Sequence, residues 1–294
     1  MSVQQYLTPL TAGEALAQLA GFAGEGRLIA GGTDLMLWLK KKKFSPKALI
    51  DITGIEEFQS LEESGGELII GAAATHAEVA LHPAVRRLAP VLAEACGSVG
   101  SPQVRNIATV AGNVVSAQPA ADAAVALVAL GAQAEIISSG GRRAIPVEEL
   151  YTGAGGSTVD STREIVGRIV VRAPGPGGGS AFVRMSPREA LALPIVNVAA
   201  VLYTDGSVIT SARLAIGPVA RQPFRPLQAE KLLAGAPMGS LEAFEKAAET
   251  AGRESSPRDS LLRGSALYRR QLVRVLVRRA LQEATVRIAP GKEG

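Results

Sequence analysis

Two short glycine-bearing segments carry residue types suited to binding phosphate. One is Ala30–Asp34, and the other is Thr109–Asn113, which ends nine residues before Asp122. Glycine has no Cβ, so the backbone can come close to a ligand, and successive backbone N–H groups in a turn form a concavity for phosphate oxygens. Asn113 and Asp122 add polar side chains for a hydroxyl-bearing ligand. Together the two segments predict a clamp that holds a phosphate-containing ligand from two sides.

The composition leaves few side chains for metal or nucleophilic chemistry. The 294 residues include one cysteine, Cys96, and two histidines, His76 and His82. A single cysteine excludes an intrachain disulfide and a cysteine-ligated iron–sulfur cluster within this chain. Two histidines and one cysteine also disfavour a zinc site or a histidine-dependent catalytic triad. Any redox chemistry is therefore expected to depend on an organic cofactor.

Hydropathy and charge limit where the chain can be located and which partners it can bind. The longest apolar run, around Ala123–Leu130, is too short to span a bilayer, and Met1–Gln5 lacks the layout of a signal peptide. We therefore expect a cytoplasmic protein without a membrane span. The net charge of +4 is mostly scattered and aromatic residues make up 4% of the chain, which disfavours nucleic-acid binding.

The first segment lies between a predicted strand and a predicted helix. Arg27–Ala30 favours a short buried strand, Gly31-Gly32 turns the chain, and Asp34 begins a helix over Leu35–Lys40. This order of elements aims backbone donors at an anion. The second segment is predicted to be a turn, and a buried alanine-rich helix over 119–130 follows it.

Capping and periodicity predict the other elements. Capping-box spacing marks helix starts at Thr11, with Glu14, and at Thr75, with Glu78. Further strands are predicted at 48–52, 67–71, 133–138, 164–171, 181–185, 195–203 and 207–216, and further helices at 84–96, 227–233, 241–251 and 261–286. The run Pro174–Gly179 is predicted to be an irregular boundary. The pattern before this boundary favours α/β units, and the pattern after it favours an antiparallel sheet with helices packed on it.

Several longer motifs occur in an order that resembles a known family. They are Ile29–Leu35 (IAGGTDL), Leu49–Ile52 (LIDI), Gly71–His76 (GAAATH), Gly100–Asn113 (GSPQVRNIATVAGN), Pro119–Asp122 (PAAD), Arg188–Leu193 (REALAL) and Ser265–Arg270 (SALYRR). The chain resembles the FAD-binding medium subunit of molybdenum hydroxylases, such as xanthine dehydrogenase, aerobic carbon monoxide dehydrogenase and nicotinate dehydrogenase. Ala111 departs from the glycine usual in this family, and Thr33-Asp34 replaces the His-Ser of carbon monoxide dehydrogenases.

The resemblance implies an α+β chain of two domains. Residues 1–174 would form an FAD-binding domain of the type shared with p-cresol methylhydroxylase (PCMH) and vanillyl-alcohol oxidase (VAO). This domain would have two α/β subdomains, at about 1–54 and 55–174. Residues 180–286 would form a C-terminal domain like that of the carbon monoxide dehydrogenase flavoprotein, with an antiparallel sheet and helices.

The resemblance also implies the residues that bind FAD. The two glycine-bearing segments would cradle the pyrophosphate, and Asp122 would hold ribityl or ribose hydroxyls. Val99 and Val166 would lie against the flavin or the adenine, and Arg184 would lie near the isoalloxazine ring. The full expected set is Ala30, Gly31, Gly32, Thr33, Asp34, Leu35, Val99, Thr109, Val110, Ala111, Gly112, Asn113, Asp122, Val166 and Arg184. The family gives this chain no catalytic side chain and no metal ligand.

The function implied by the resemblance is electron transfer through FAD. Electrons from a molybdopterin-containing large subunit would pass through the [2Fe–2S] clusters of a small subunit to FAD. They would then pass to NAD, oxygen, a quinone or another acceptor, in an (αβγ)2 assembly. Two alternatives stay open: an FAD-holding assembly or maturation module without turnover, and a self-sufficient flavin oxidase of the vanillyl-alcohol type.

Several other polar side chains have both a functional and a structural interpretation. His76 could point at the flavin, but its place at the start of a capped helix favours a solvated position. Cys96 favours core packing, and Lys40–Lys43 favours a solvated helix end. Arg105 either contacts the cofactor or a partner, or braces its loop. The arginines of the last helix are expected on its solvent face: Arg269, Arg270, Arg274, Arg278 and Arg279.

Overall fold

The computed structural model describes residues 3–175 and 177–288. The N-terminal part contains, in chain order, β1 (Gln5–Leu7), α1 (Ala12–Gly21), β2 (Gly26–Ile29), α2 (Leu35–Lys40) and β3 (Ala48–Asp51). The strands form a parallel sheet in the order β1-β3-β2. Helix α1 begins as predicted, because Thr11 Oγ1 accepts a hydrogen bond from Glu14 N at 3.1 Å. It buries Ala12, Ala15 and Leu19, whose spacing places them on one face.

The middle part is an antiparallel sheet covered by helices. Its elements are β4 (Leu61–Ser64), β5 (Glu67–Gly71), α3 (His76–Leu81), α4 (Pro83–Leu88), α5 (Pro90–Gly97), α6 (Pro102–Arg105), α7 (Val110–Val115), α8 (Asp122–Leu130), β6 (Gln133–Ser138), β7 (Gly141–Pro146), β8 (Tyr151–Gly153), β9 (Gly156–Ser157) and β10 (Glu164–Arg172). The sheet order is β4-β5-β10-β6-β7, and β8 pairs with β9 in a separate hairpin. Short 3₁₀ turns lie at Glu56–Phe58 and Val147–Leu150.

The single helix predicted over 84–96 is wrong, because the chain forms two helices there, α4 and α5. Pro90 lacks an N–H group and restricts the residue before it. Ala89 accordingly takes φ −141° and ψ 61°, outside the helical region. The apolar spacing continues across the break, since Val85, Leu92 and Cys96 all pack in the same buried core.

Helix α8 joins the middle part to the C-terminal part. Every residue from Asp122 to Leu130 is buried, and the helix packs against α5 on one side and the C-terminal sheet on the other. A helix that is apolar on all faces is expected in such a position. It begins at Asp122 rather than at residue 119, and Gly131 ends it in the left-handed conformation, with φ 67°.

The C-terminal part is the predicted antiparallel sheet with helices packed on it. Its elements are β11 (Gly178–Met185), β12 (Val196–Thr204), β13 (Ile209–Gly217), α9 (Leu227–Leu233), α10 (Leu241–Glu254) and α11 (Ala266–Val286). The strand order is β11-β12-β13. Strand β11 begins inside the run Pro174–Gly179 that was predicted to be irregular, and Pro176 of that run lies outside the described residues.

Helix α11 begins at Ala266, later than the predicted residue 261. Ser265 caps it by accepting a hydrogen bond from Tyr268 N at 3.2 Å, and Asp259 Oδ1 accepts one from Ala266 N at 2.6 Å. The segment before the cap is therefore a loop that the helix start holds in place. Within residues 3–175 and 177–288, no helix is long and apolar enough to cross a membrane.

Candidate functional site

A cleft of about 1540 Å³ lies where the three parts of the chain meet. Pockets for drug-sized ligands measure roughly 300–1,000 Å³, so this cleft suits a larger, extended ligand. Its lining comes from residues within 27–38, 99–122, 154–161, 191–193, 218–221 and 256–269, together with Phe44 and His76. Both glycine-bearing segments therefore contribute to one cleft.

The first segment, Ala30–Asp34, presents its backbone to the cleft. Gly31 packs directly on the chain that leads into the second segment, since a Cβ at Gly31 would lie 2.7 Å from the carbonyl carbon of Ile107. Gly32 has φ +66°, a conformation that favours glycine. The N–H groups of residues 31–34 donate to no acceptor in the part of the chain that the structure describes. They are therefore available to bind an anion.

The second segment, Thr109–Asn113, is the start of helix α7 rather than the predicted turn. Thr109 Oγ1 accepts a hydrogen bond from Gly112 N at 3.0 Å, and Thr109 O accepts one from Asn113 N at 3.0 Å. A threonine N-cap satisfies donors that the first turn of a helix leaves free. These bonds fix the positions of Gly112 and Asn113 in the wall of the cleft.

His76 is buried at the cleft, which corrects the solvated position predicted for it. Its relative exposure is 0%, and it contributes to the cleft lining. The backbone explains this position, because His76 N donates to Ala108 O at 3.0 Å and so joins the start of α3 to the residue directly before the second segment. Burial, with a smaller effect of the Arg105 guanidinium, lowers the pKa of His76 to about 4. The imidazole is therefore neutral at pH 7.

His76 and Asn113, which both line the cleft, have buried polar atoms without hydrogen-bond partners. Neither ring nitrogen of His76 is hydrogen-bonded within residues 3–175 and 177–288, and the same holds for Asn113 Oδ1. Buried polar atoms are rarely left unpaired in folded proteins. Their position in the cleft indicates that a polar ligand completes their hydrogen bonding.

Asp122 lies at the point where the cleft meets the C-terminal sheet. Its Oδ1 accepts hydrogen bonds from Asn197 Nδ2 at 2.6 Å and from Arg184 Nε at 3.3 Å. Burial raises the pKa of Asp122 to about 6, although Arg184 and Asn197 both favour its ionised form. Its Oδ2 accepts no hydrogen bond from the described residues. Because Asp122 lines the cleft, this oxygen can accept a hydrogen bond from a ligand hydroxyl.

The sequence matches two known domains along most of its length. Residues 1–174 match the FAD binding domain in molybdopterin dehydrogenase, and residues 181–284 match the CO dehydrogenase flavoprotein C-terminal domain. The chain belongs to the FAD-binding subunits of molybdenum hydroxylases. FAD is therefore the cofactor that this subunit binds.

Known proteins align with almost the entire length of this chain. The chain is 30% identical over 285 residues to the carbon monoxide dehydrogenase medium chain of Hydrogenophaga pseudoflava, and the alignment covers 97% of this chain and 98% of the relative. It is 32% identical over 263 residues to the nicotine 6-hydroxylase medium subunit of Paenarthrobacter nicotinovorans, covering 90% and 91%. The structure aligns with the Hydrogenophaga pseudoflava carbon monoxide dehydrogenase that lacks the Mo-pyranopterin moiety of the molybdenum cofactor, with a TM-score of 0.91, 30% identity and coverage of 98% and 99%. The predicted family and cofactor are confirmed.

The structure brings most, but not all, of the predicted FAD-binding residues to the cleft. Those that line it are Ala30, Gly31, Gly32, Thr33, Asp34, Leu35, Val99, Thr109, Gly112, Asn113 and Asp122. Val110 and Ala111 are buried in the core behind them, and Val166 packs in the same core on β10. Arg184 is positioned by its hydrogen bond to Asp122. Contact of each residue with FAD remains a prediction.

The structure also places Arg105, Cys96 and the run Lys40–Lys43. Arg105 Nη1 donates to Val99 O at 2.9 Å and so braces the loop that carries Val99 into the cleft. Cys96 is fully buried in the core, as expected, and burial raises the pKa of its thiol. Lys40–Lys43 is exposed, as expected for a solvated helix end.

Sequence reasoning missed the C-terminal contribution to the cleft, including Arg269. Predicted on the solvent face, Arg269 is only 3% exposed and lies in the cleft lining. Helical spacing could have shown this, because Arg269 precedes the buried Leu272 and Val273 by three and four residues. Of the other arginines, Arg274 and Arg278 pair with Glu245 at the surface.

The pKa of His76 predicts a pH dependence of stability. Because the folded chain binds this proton less tightly than the unfolded chain, the His76 contribution to stability is lost as pH falls below 6.5 towards 4. Relative to the His76→Gln variant, flavin-free wild type should lose about 1 kcal/mol of unfolding free energy between pH 6.5 and 5.5. Urea unfolding of both proteins at the two pH values measures this difference.

The His82→Gln variant is the matched control for this measurement, because it removes the other histidine. A change of the pH dependence in His76→Gln that exceeds the change in His82→Gln would assign the effect to the imidazole at the cleft. A His76→Gln variant with the same pH dependence as wild type would contradict a neutral buried imidazole.

Proposed function

We propose that this subunit carries FAD as an electron-transfer centre between iron–sulfur clusters of a partner chain and an external acceptor. The observation that supports this proposal is the set of free polar groups in one cleft. Backbone N–H groups of residues 31–34, Asp122 Oδ2, the His76 ring and Asn113 Oδ1 all lack partners among the described residues. These groups match the phosphates, hydroxyls and ring heteroatoms of a flavin dinucleotide.

The residues present fit the cofactor by type. Residues 31–34 would hold the pyrophosphate through backbone N–H groups, with Gly31 and Gly32 allowing close approach. Asp122 would accept hydrogen bonds from hydroxyls of the ribityl or ribose part. His76, neutral at pH 7, can donate from one ring nitrogen and accept at the other. Bound FAD supplies the capacity to take up and release electrons, and the protein supplies position and electrostatics.

The side chains that the structure describes offer no metal centre beside such a cofactor. The one cysteine of the chain, Cys96, is buried, and no group of three or more His, Cys, Asp or Glu side chains in the described ranges could hold a metal ion. We propose that the electrons come from a small [2Fe–2S] subunit beside a molybdopterin-containing large subunit, in a cytoplasmic (αβγ)2 assembly. The resemblance to family members supports this arrangement.

Reconstitution tests the proposal. The purified chain should show a flavin absorption spectrum, and substrate of the complex should bleach it only after the molybdenum and iron–sulfur subunits are added. A flavin that stays oxidised in the complete complex would favour an assembly or maturation module. Bleaching of the isolated chain by an alcohol substrate would favour a self-sufficient oxidase instead.

A further inference from the structure

Four arginines of the C-terminal part line the cleft, and we call them the arginine cluster: Arg221, Arg258, Arg263 and Arg269. We propose that the arginine cluster is an anion subsite, which binds the phosphate groups of a phosphorylated electron acceptor. This inference rests on the proposed electron-transfer function. It assigns to the C-terminal part a binding role distinct from holding FAD.

Arg269 is the buried centre of the arginine cluster. It is 3% exposed, its Nη1 donates to Arg258 O at 2.9 Å, and its Nη2 donates to Pro218 O. Its Nε is buried and has no partner in the part of the chain that the structure describes. These bonds position the guanidinium in the cleft wall and leave one donor unpaired. An anion in the cleft would complete its hydrogen bonding.

The arginines of the arginine cluster are not ion-paired. None of the four forms an ion pair within residues 3–175 and 177–288, and the one acid of the same loop in the cleft lining, Asp259, accepts a hydrogen bond from Ala266 N instead. Burial, and after it the neighbouring guanidinium groups, lowers the pKa of Arg269 and of Arg263. Unpaired like charges in a cleft are unfavourable, and a bound anion relieves this repulsion.

The position of the arginine cluster favours a small phosphorylated molecule. An acidic partner surface could reach exposed Arg221 and Arg258 but not Arg269 inside the cleft. The FAD pyrophosphate already has candidate donors in residues 31–34 of the N-terminal part. Oxygen and neutral quinones carry no negative charge for four guanidinium groups to bind, whereas phosphate groups gain charge-assisted hydrogen bonds.

Calorimetric titration of the FAD-loaded full chain tests the subsite. Inorganic pyrophosphate and ADP-ribose should both bind, and salt should weaken both, because the contacts are charged. The Arg263→Gln and Arg258→Gln variants should each weaken binding of both probes about tenfold. The Arg279→Gln variant removes an exposed arginine of α11 outside the cleft and should bind both probes like wild type. FAD content should be equal in all four proteins.

Three other outcomes would overturn the proposal that the arginine cluster is an anion subsite. Loss of FAD in Arg263→Gln and Arg258→Gln would place the arginine cluster in the flavin site. Binding of a glutamate-rich peptide but of neither phosphate probe would show a protein-docking surface. Equal affinity in wild type and variants would show that the phosphates bind elsewhere. A wild-type chain without FAD would instead refute the proposed function, so the two failures are distinguishable.

Discussion

Replacing Gly31 by alanine should remove most of the bound FAD and lower the free energy of unfolding by about 3 kcal/mol. The added Cβ would lie 2.7 Å from the carbonyl carbon of Ile107, which is backbone and cannot rotate away. Either the first segment or the chain before Thr109 must therefore move. Both segments line the cleft, so either movement separates the groups proposed to hold the pyrophosphate. Flavin absorbance relative to protein absorbance, and urea unfolding of the flavin-free chain, measure the two effects.

The matched control for this variant is Gly21→Ala at the end of α1. A Cβ at Gly21 would meet nothing within 4 Å, and its φ is not positive. Alanine there should leave FAD content unchanged and keep stability equal to or slightly above wild type. A Gly31→Ala variant that retains full FAD content and stability would show that the two segments do not form a fixed clamp.

Local signals predicted much of the fold. The capping box of Thr75 and Glu78 involves residues close together in sequence, so their spacing alone predicts the start of the helix. Strands β1 and β4 were missed for the opposite reason. They are short and largely exposed, and pairing with β3 and β5 defines them. Such pairing is a long-range property that a local pattern does not contain.

The residues of the candidate site also divide into those that the sequence predicted and those that it misplaced. The glycine-bearing segments were found because close backbone approach requires glycine, which is visible in the sequence. His76 was misplaced because its burial depends on Ala108, which is distant in sequence and accepts its backbone hydrogen bond. Arg269 was misplaced because its acceptors, the carbonyls of Arg258 and Pro218, belong to separate loops. Sequence therefore predicts the segments that approach the ligand better than the side chains that tertiary contacts bury beside it.

Replacing Arg184 by methionine should lower the free energy of unfolding by about 3–5 kcal/mol at pH 8. Arg184 and Asp122 have side chains only 10% and 6% exposed, so the variant leaves a buried carboxylate with Asn197 as its remaining partner. In wild type burial already raises the pKa of Asp122 to about 6, and loss of the guanidinium removes the largest opposing effect. The pKa in the variant should therefore be higher still.

The sign of the pH dependence separates this electrostatic effect from lost packing. An acid with a raised pKa in the folded state stabilises the fold most at low pH, and this stabilisation is lost as pH rises through the folded pKa. At pH 5 Asp122 is mostly protonated in wild type and variant, so the stability gap should shrink to the loss of packing and of the Arg184 hydrogen bonds to Ser186 Oγ and Ala192 O. Urea unfolding at pH 5 and 8 measures the gap, and a double variant with Asp122→Asn should recover much of the loss at pH 8.

An Arg278→Met variant, which breaks a surface pair with Glu245, should change stability by about 1 kcal/mol or less. A gap for Arg184→Met that is equal at both pH values would contradict a charge-paired Asp122, and with it the assignment of Asp122 as an ionised hydrogen-bond acceptor for FAD at neutral pH.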